Sequence, residues 1–460
     1  MLIERLIEAL GAEAVKTSPE DLACYSFDAY SQGVLPSAVV LPSSAAQVSA
    51  VVKIARDLEE PLIARGSGTG LCGGAAPARA GVVLSFARMN RLLELDVENR
   101  RARVAPGLVN LQLSERIAST GFFYAPDPAS QRASTIGGNI ATNAGGPHCL
   151  AYGTTVNHVL ALEIVDERGE CFTTAVEDLG YDLTALLVGS EGTLGIVTSA
   201  WVRLLRIPPT TGVWLAAFPS IESASEAVSA IVGAGIVPTA LEMMDATIVR
   251  AVESAYAAGY PADAAAVLLV ESSGEPEEVA SADSAIARIA RAHGATKWQA
   301  ATSTEQREAL WRGRKGAAGA IGRIAPNYYT QDVCVPRTRL PEMLATVDEA
   351  AKQHGIVVGN VFHAGDGNLH PLLLYDKRDA RQVAAVIEIG NIVLARAVEL
   401  GGTISGEHGV GIEKRNGMSL VYRAEDLAAM ANVREIFDPH ALLNPEKIFP
   451  SGISCREMRT

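Results

Sequence analysis

The segment "MLIERLIEAL" places apolar residues at positions 2, 3, 6, 7 and 10, the spacing of one helix face. "SAAQVSAVVKIARDLEE" repeats that period. Through about residue 210 the chain otherwise runs in short strand-like stretches, "SAVVLP", "PLIA", "GVVLSF" and "LALEIVDERGE". Glycine-dense loops at 64–77, 125–146 and 189–195 separate them.

The stretch "LRIPPTTG" (205–212) breaks any regular element and marks a candidate boundary. Beyond it, strands alternate with longer amphipathic helices. "VWLAAF" precedes a helix near 221–233, "AAVLLVESS" one near 276–293, and "YYTQDVCVP" one near 339–354 that stops at Gly355. "RQVAAVIEIGNIVLARAVEL" reads as a helix of about five turns closed by Gly401 and Gly402. The alternation predicts an α+β fold with helices covering a sheet. No internal repeat is legible.

The chain has 460 residues, 48% hydrophobic and 20% charged, enough to bury a large core and to form two or three domains. A net charge of −13 with no local basic stripe argues against a nucleic-acid partner. The six cysteines, Cys24, Cys72, Cys149, Cys171, Cys334 and Cys455, form no C-x-x-C pair, which argues against a disulfide framework, a zinc knuckle or an iron–sulfur cluster held by this chain. The first helix lacks the basic start and unbroken apolar run of a signal peptide, and no apolar run reaches the ~18 residues of a membrane span. The expectation is a cytoplasmic protein, peripheral to a membrane at most through partners.

"ARGSGTGLCGG" resembles a dinucleotide fingerprint at first sight, but such a loop must open a helix, and here it leads through "GGAAPARAGVVLSF" to another strand. What survives is a loop whose bare amides can approach an anion. "APDPASQRASTIGGNIATNAGG" and "GSEGTLGIV" add two more glycine loops with Ser, Thr and Asn donors. Three such loops exceed the needs of chain reversal.

"HAGDGNLH" carries other chemistry. "IVVGNVFH" ends at His363, "LHPLLLYD" begins at Leu369, and "AGDGN" between them is turn chemistry. A hairpin would bring His363 and His370 across the strands, where opposed Cβ atoms lie ~5 Å apart, close enough to share an ion. Glu407, in "SGEHGVG", would supply an oxygen ligand and leave coordination positions open. Zinc is the first choice, and iron or manganese also suits such ligands. The alternative is that each histidine simply hydrogen-bonds in a buried loop. Side chains of neighbouring residues tend to diverge, so His408 would project away from Glu407. "LWRGRKGA" offers Arg312, Arg314 and Lys315, either as a clamp for a carboxylate or as a solvated basic helix face.

"PLIARGSGTGLCGG", "PDPAS…TIGGNIATNAGG" and "GSEGTLGIVT" together resemble the FAD-binding domain of the vanillyl-alcohol-oxidase (PCMH-type FAD) superfamily. "NVFHAGDGNLHP" and "GTISGEHGVG…LLNPEKIFP" resemble its branch of glycolate oxidase catalytic subunits and D-lactate and D-2-hydroxyglutarate dehydrogenases. The likeness spans about residues 20 to 450. It implies a two-part PCMH-type FAD-binding domain over 1–211 and a ferredoxin-like substrate (cap) and metal domain over 212–415. A segment over 416–460 would pack back on the FAD domain.

The resemblance further implies that Gly66, Ser67, Gly68, Thr69, Gly70 and Leu71 grip the FAD pyrophosphate. Pro126, Asp127, Ser134, Gly137, Gly138, Asn139, Thr142, Asn143, Gly145, Glu191 and Ile196 would line the cofactor, with Asn444 returning to it in the tail. The FAD would be non-covalent, since the first loop has no histidine, although Cys72 and Cys149 leave the point open. The same resemblance makes His363, His370 and Glu407 metal ligands, His408 the base and Arg314 the clamp on the substrate carboxylate.

The implied activity is FAD-dependent, metal-assisted oxidation of a small 2-hydroxy acid, glycolate or D-lactate, to the 2-oxo acid. Electrons would pass to a non-nicotinamide acceptor: a partner subunit such as an iron–sulfur protein, a quinone or an electron-transfer protein. Relatives acting on larger diacids carry Thr and Lys where this chain has Ala318 and Thr330, which favours a small substrate. Tyr328 and Tyr329 either wall the pocket or pack in the core. Two other readings remain: a D-2-hydroxyglutarate dehydrogenase, and a non-catalytic FAD subunit of an electron-transfer complex.

Overall fold

Serine starts several of the helices that the apolar spacing predicts. Ser44 accepts the Gln47 amide ahead of Ala45–Asp57, Ser220 the Ser223 amide ahead of Ile221–Gly233, and Ser303 the Gln306 amide ahead of Thr304–Lys315. Gly355 takes φ 66° after Leu340–His354, the left-handed conformation that glycine adopts most cheaply. The helix Ala380–Glu399 buries Val386, Ile389, Val393 and Ala397 along one face.

The computed structural model describes residues 1–29 and 32–450. Cys455 and positions 451–460 of the expected C-terminal segment therefore lie outside the described residues. The chain divides into two units. The first holds Met1–Gly146, Gly153–Ile207 and the described residues from Glu407 on; the second holds Pro147–Tyr152 and Pro208–Gly406. One division falls inside "LRIPPTTG". Three placements differ from a middle domain over 212–415: Glu407–Arg415 join the first unit, and Pro147–Tyr152 and Pro208–Thr211 join the second. The short excursion is flanked by Gly146 and Gly153, both at positive φ (158° and 77°), and is too brief to show an apolar period.

In the first unit, β1 (Val15–Lys16), β2 (Ala38–Val40), β3 (Leu62–Arg65) and β4 (Val82–Ser85) form a sheet of order β1-β2-β4-β3. The last three are parallel, and every residue of β2 and β4 is buried, as a sheet covered on both faces requires. β5 (Leu92–Asp96), β6 (Arg101–Val104), β8 (Val159–Val165), β9 (Cys171–Ala175) and β10 (Ile196–Arg203) form an antiparallel sheet of order β5-β6-β10-β8-β9. β7 (Phe122–Phe123) pairs with β11 (Leu205–Arg206). The chain returns to this unit at its end: Leu443 bridges Leu62 in parallel and is fully buried among Val82, Leu84 and Leu62.

The second unit holds an antiparallel sheet of β12 (Thr210–Phe218), β13 (Ala240–Asp245), β14 (Ala266–Gly274), β15 (Lys297–Ala300), β16 (Asn327–Thr330), β17 (Val333–Cys334), β18 (Val357–His363) and β19 (Asn368–Tyr375). Its order is β15-β12-β14-β13-β18-β19-β16, with β17 continuing beside β19. β12 to β15 have the 4-1-3-2 order of a ferredoxin-like βαββαβ motif, with Ala246–Tyr256 inserted between the second and third strands. β17, β18, β19 and the Thr403–Cys334 bridge repeat that order. The unit is thus a structural repeat, joined edge to edge where β13 meets β18. Interchangeable apolar residues build both halves, so the sequence does not display the repeat. The helices Ala246–Tyr256, Thr304–Lys315 and Ala317–Ala320 cover one face, on a core of Val213, Leu215, Val267, Leu269, Val361 and Leu372.

Candidate functional site

In the first unit the three glycine loops converge. A Cβ on Gly66 would stand 2.3 Å from Thr135 Oγ1, so only glycine lets the first loop lie this close to the second. Ser67 Oγ donates to Ala133 O at 2.5 Å. Gly68 (φ 70°) turns over the Arg65 guanidinium, which donates to Phe27 O at 2.6 Å and Ala75 O at 3.3 Å. Thr69, Gly70 and Leu71 follow, half-buried.

In the second loop, Thr135 caps the helix Ile136–Thr142 at Gly138, and Gly137 packs on Pro106 where a Cβ would meet Pro106 Cβ at 2.6 Å. Asn110 Nδ2 ties the loop together by donating to Pro126 O and to Asn139 Oδ1, both at 2.9 Å. Asn143 ends the helix at φ 50° and accepts the Val156 amide, while Thr142 Oγ1 donates to Gly138 O. Asp127 and Gly145 are buried.

The third loop joins through Glu191, whose amide donates to Ala141 O at 2.7 Å. Its carboxylate accepts the Val410 and Gly411 amides; burial pushes its pKa up against those two bonds. Ile196, buried, opens β10. Asn444 Nδ2 donates to Gly74 O (2.9 Å) and Glu191 O (2.7 Å), and Lys447 Nζ donates to Gly73 O and Ala76 O. Among the described residues, Ser134 Oγ and Asn444 Oδ1 are buried without a hydrogen-bond partner. A ligand with donors and acceptors would satisfy such atoms, and close-packed glycine backbones beside them suit the phosphates and ribose of FAD.

In the second unit the polar residues lie on one sheet face. Glu242 pairs with His363 across β13 and β18, and His363 with Asn368 across the hairpin. His370 pairs with Val361, so the two histidines are diagonal rather than directly opposed, on the same face. Their rings stand edge to face, centroids 5.2 Å apart. His363 and His370 are 5% and 9% exposed. His363 Nδ1 lies 2.8 and 2.9 Å from the Glu242 oxygens, and Arg314 Nη2 meets Glu242 Oε2 at 2.5 Å. Burial works to raise the Glu242 pKa, but the Arg314 charge and His363 hold it below the ordinary value.

Arg314 reaches this position because Gly313 lets its helix approach Ala246–Tyr256: a Cβ there would sit 2.8 Å from Ala258 Cβ and 2.9 Å from Val252 Cγ1. Arg314 is 6% exposed and its Nε has no hydrogen-bond partner among the described residues, whereas Arg312 faces solvent. One turn earlier, Trp311 Nε1 donates to Glu271 Oε2 at 2.7 Å, and His148 Nε2 lies 3.1 Å from Glu271 Oε1. Asp332, fully buried, lies 3.5 Å from His370 Nε2 and accepts from Ser405 Oγ and the Gly406 amide.

Glu407 is the next residue after Gly406. His408 does not diverge from it: its Nε2 is 4.0 Å from Glu407 Oε1, because this stretch is irregular and the alternation of a strand does not apply. Tyr328 packs against the apolar core, and Tyr329 is buried, its hydroxyl accepting from Gln331 Nε2 at 2.7 Å. Thr330 Oγ1 donates to Gln331 O, and Ala318 is half-buried. Sequence reasoning passed over Glu242, Asp332, Glu271 and His148. Glu242 left a signal: it is an acid between apolar neighbours inside the strand "ALEMMD", where a fully buried charge needs partners. Among the described residues, no helix is long and apolar enough to cross a membrane.

Known proteins share this architecture. The model for FAD linked oxidases, C-terminal domain, matches residues 207–448, and that for the FAD binding domain matches 36–175. The glycolate oxidase subunit GlcD of Escherichia coli (strain K12) is 43% identical, over 97% of this chain and 90% of that protein. A D-lactate dehydrogenase of Archaeoglobus fulgidus is 36% identical over 92% of this chain and 95% of that protein. The solved 4-ethylphenol oxidase from Gulosibacter chungangensis shares the fold, with a TM-score of 0.80 at 19% identity, over 98% of this chain and 97% of that one. With the matched domains covering most of its length, the chain belongs to the FAD-linked oxidases, and FAD is its cofactor.

Proposed function

We propose that this protein oxidises a small 2-hydroxy acid, glycolate or D-lactate, to the 2-oxo acid. One observation carries the reading: a buried guanidinium, its Nε without a partner among the described residues, lies on the same sheet face as two buried histidines, in a chain that binds FAD. Bound FAD would supply the two-electron oxidant, and a divalent metal the Lewis acid that lowers the hydroxyl pKa. His363 and His370 are the imidazole ligands for that metal. Glu407 enters as the oxygen ligand by its place in the chain, one residue beyond the Gly406 amide that Asp332 anchors beside His370. The donor set of two imidazoles and a carboxylate suits zinc first, with iron or manganese as alternatives.

Arg314 would clamp the substrate carboxylate, and its planar donors would fix which face of the 2-carbon is presented. His408 would accept the hydroxyl proton. The first-unit loops 66–71, 126–128 and 134–145, with Glu191, Ile196 and Asn444, would hold the cofactor non-covalently. Ala318 offers no charge to a second carboxylate, and the Thr330 hydroxyl is committed to Gln331 O, which favours a small substrate over a dicarboxylate. A partner subunit, a quinone or an electron-transfer protein would take the electrons, and such partners would bring the protein to a membrane.

The test is anaerobic bleaching of the bound flavin with glycolate, D-lactate, L-lactate and D-2-hydroxyglutarate, before and after chelation. Bleaching by glycolate or D-lactate, lost with EDTA and restored by zinc or manganese, is the expected result. A flavin that none of the four reduces would overturn the proposal.

A further inference from the structure

We propose that Glu242 is a positioning residue that fixes the tautomer of His363 and anchors Arg314, the proposed carboxylate clamp, beside it. The inference rests on the metal reading given above. Glu242 is completely buried, and its carboxylate has two partners. Oε1 and Oε2 lie 2.8 and 2.9 Å from His363 Nδ1, and Oε2 lies 2.5 Å from Arg314 Nη2. Arg314 Nη2 is itself 3.5 Å from Nδ1, and two donors converge on one acceptor, so the proton of a neutral His363 sits on Nδ1. Nε2 then keeps its lone pair for a metal. A carboxylate on the far nitrogen also raises the basicity of the ligating one and fixes the ring plane.

The register makes this arrangement rigid. Glu242 and His363 are directly paired across β13 and β18, which sets the two side chains on the same face at contact distance. Arg314 reaches the same carboxylate from the helix Thr304–Lys315. A metal ligand and the proposed substrate clamp are therefore anchored to one buried acid. Glu271 provides an internal comparison: it lies on the same sheet face and receives Trp311 from that helix, with His148 on its other oxygen.

The test is competition titration of zinc against a chromogenic chelator, on FAD-loaded protein, with thermal unfolding of the metal-free forms run in parallel. Glu242→Gln should weaken zinc binding by about 10–100-fold, the usual effect of removing such a partner. Glu271→Gln and Arg314→Gln should bind zinc within about threefold of the parent protein, since neither removes the acceptor from Nδ1. Should Glu242→Gln fail to fold, Glu242→Asp keeps the charge balance but withdraws the carboxylate, and it should weaken zinc binding in the same direction. If the parent binds zinc and both Glu242 variants bind it equally well, the positioning role is wrong while the metal reading stands. If the parent protein binds no zinc, iron or manganese, the metal reading falls and this inference falls with it.

Discussion

Glu242 and His363 face each other across the seam of the second unit, carboxylate oxygens 2.8 and 2.9 Å from the imidazole Nδ1. A completely buried acid is costly unless its charge is met. Here His363 and Arg314 meet it together, so the residues proposed for metal binding and substrate capture share one electrostatic anchor.

Arg314→Lys should raise KM more than it lowers kcat. A lysine has no planar fork for a carboxylate, and the loss of a charge-assisted hydrogen bond, about 1.5–3 kcal/mol, corresponds to roughly 10–150-fold. Steady-state kinetics with glycolate and D-lactate check this; an unchanged KM would remove Arg314 from substrate binding.

His408→Ala should lower kcat by about 10²–10⁴, the range for loss of a general base. Flavin absorbance and zinc affinity should persist, since neither the glycine loops nor the His363–Glu242 pair is touched. A variant with normal turnover would transfer the base role elsewhere.

Chelation should abolish turnover while the flavin stays bound. The cofactor loops and the two histidines belong to different units of the chain. Metal analysis and the flavin spectrum of the same dialysed sample, followed by re-addition of zinc, separate the two losses.

Asp245 gives a pH dependence with a definite sign. It caps the helix Ala246–Tyr256 and accepts the Asn360 amide, and burial pushes its pKa up to about 6 against those bonds. The folded state then binds the extra proton between about pH 4 and 6, so stability falls as pH rises through that window, by about 3 kcal/mol for this group. Asp245→Asn removes the titration. Urea unfolding at several pH values should show the variant with a flatter, less negative slope there than the parent.

Asn444→Ala should cost about 1–3 kcal/mol, because it strands Gly74 O and Glu191 O away from their donor. It should also lower FAD occupancy in purified protein, since both carbonyls belong to the cofactor loops. The urea midpoint and the ratio of flavin to protein absorbance measure the two effects.

How much of this was legible beforehand differs between the units. The helix Leu340–His354 and its Gly355 cap were readable because period and cap agree. The hairpin holding His363 and His370 was readable because a β-branched run and a leucine-rich run flank a turn, but its register was not. Local sequence fixed the presence of the turn, and the pairing of His363 with Asn368 set the histidines on a diagonal. Glu242 was invisible as a functional residue because its partners stand about 70 and 120 positions away, distances that no periodicity spans. The excursion Pro147–Tyr152 was missed for the opposite reason, being shorter than one readable period.

The edge-to-edge repeat has a consequence for dissecting the second unit. Three register pairs align its two edge strands, Glu242 with His363, Met243 with Phe362 and Met244 with Val361, and the Asn360 amide donates to Asp245 across the same seam. Separated there, each half would present an open strand edge with an apolar flank and one stranded member of the Glu242–His363 pair. Neither half would remain soluble alone, yet each edge is the natural cover of the other. Two fragments severed in the turn near Pro326 and produced together should reassemble by complementation, the shared acid and imidazole selecting the correct register.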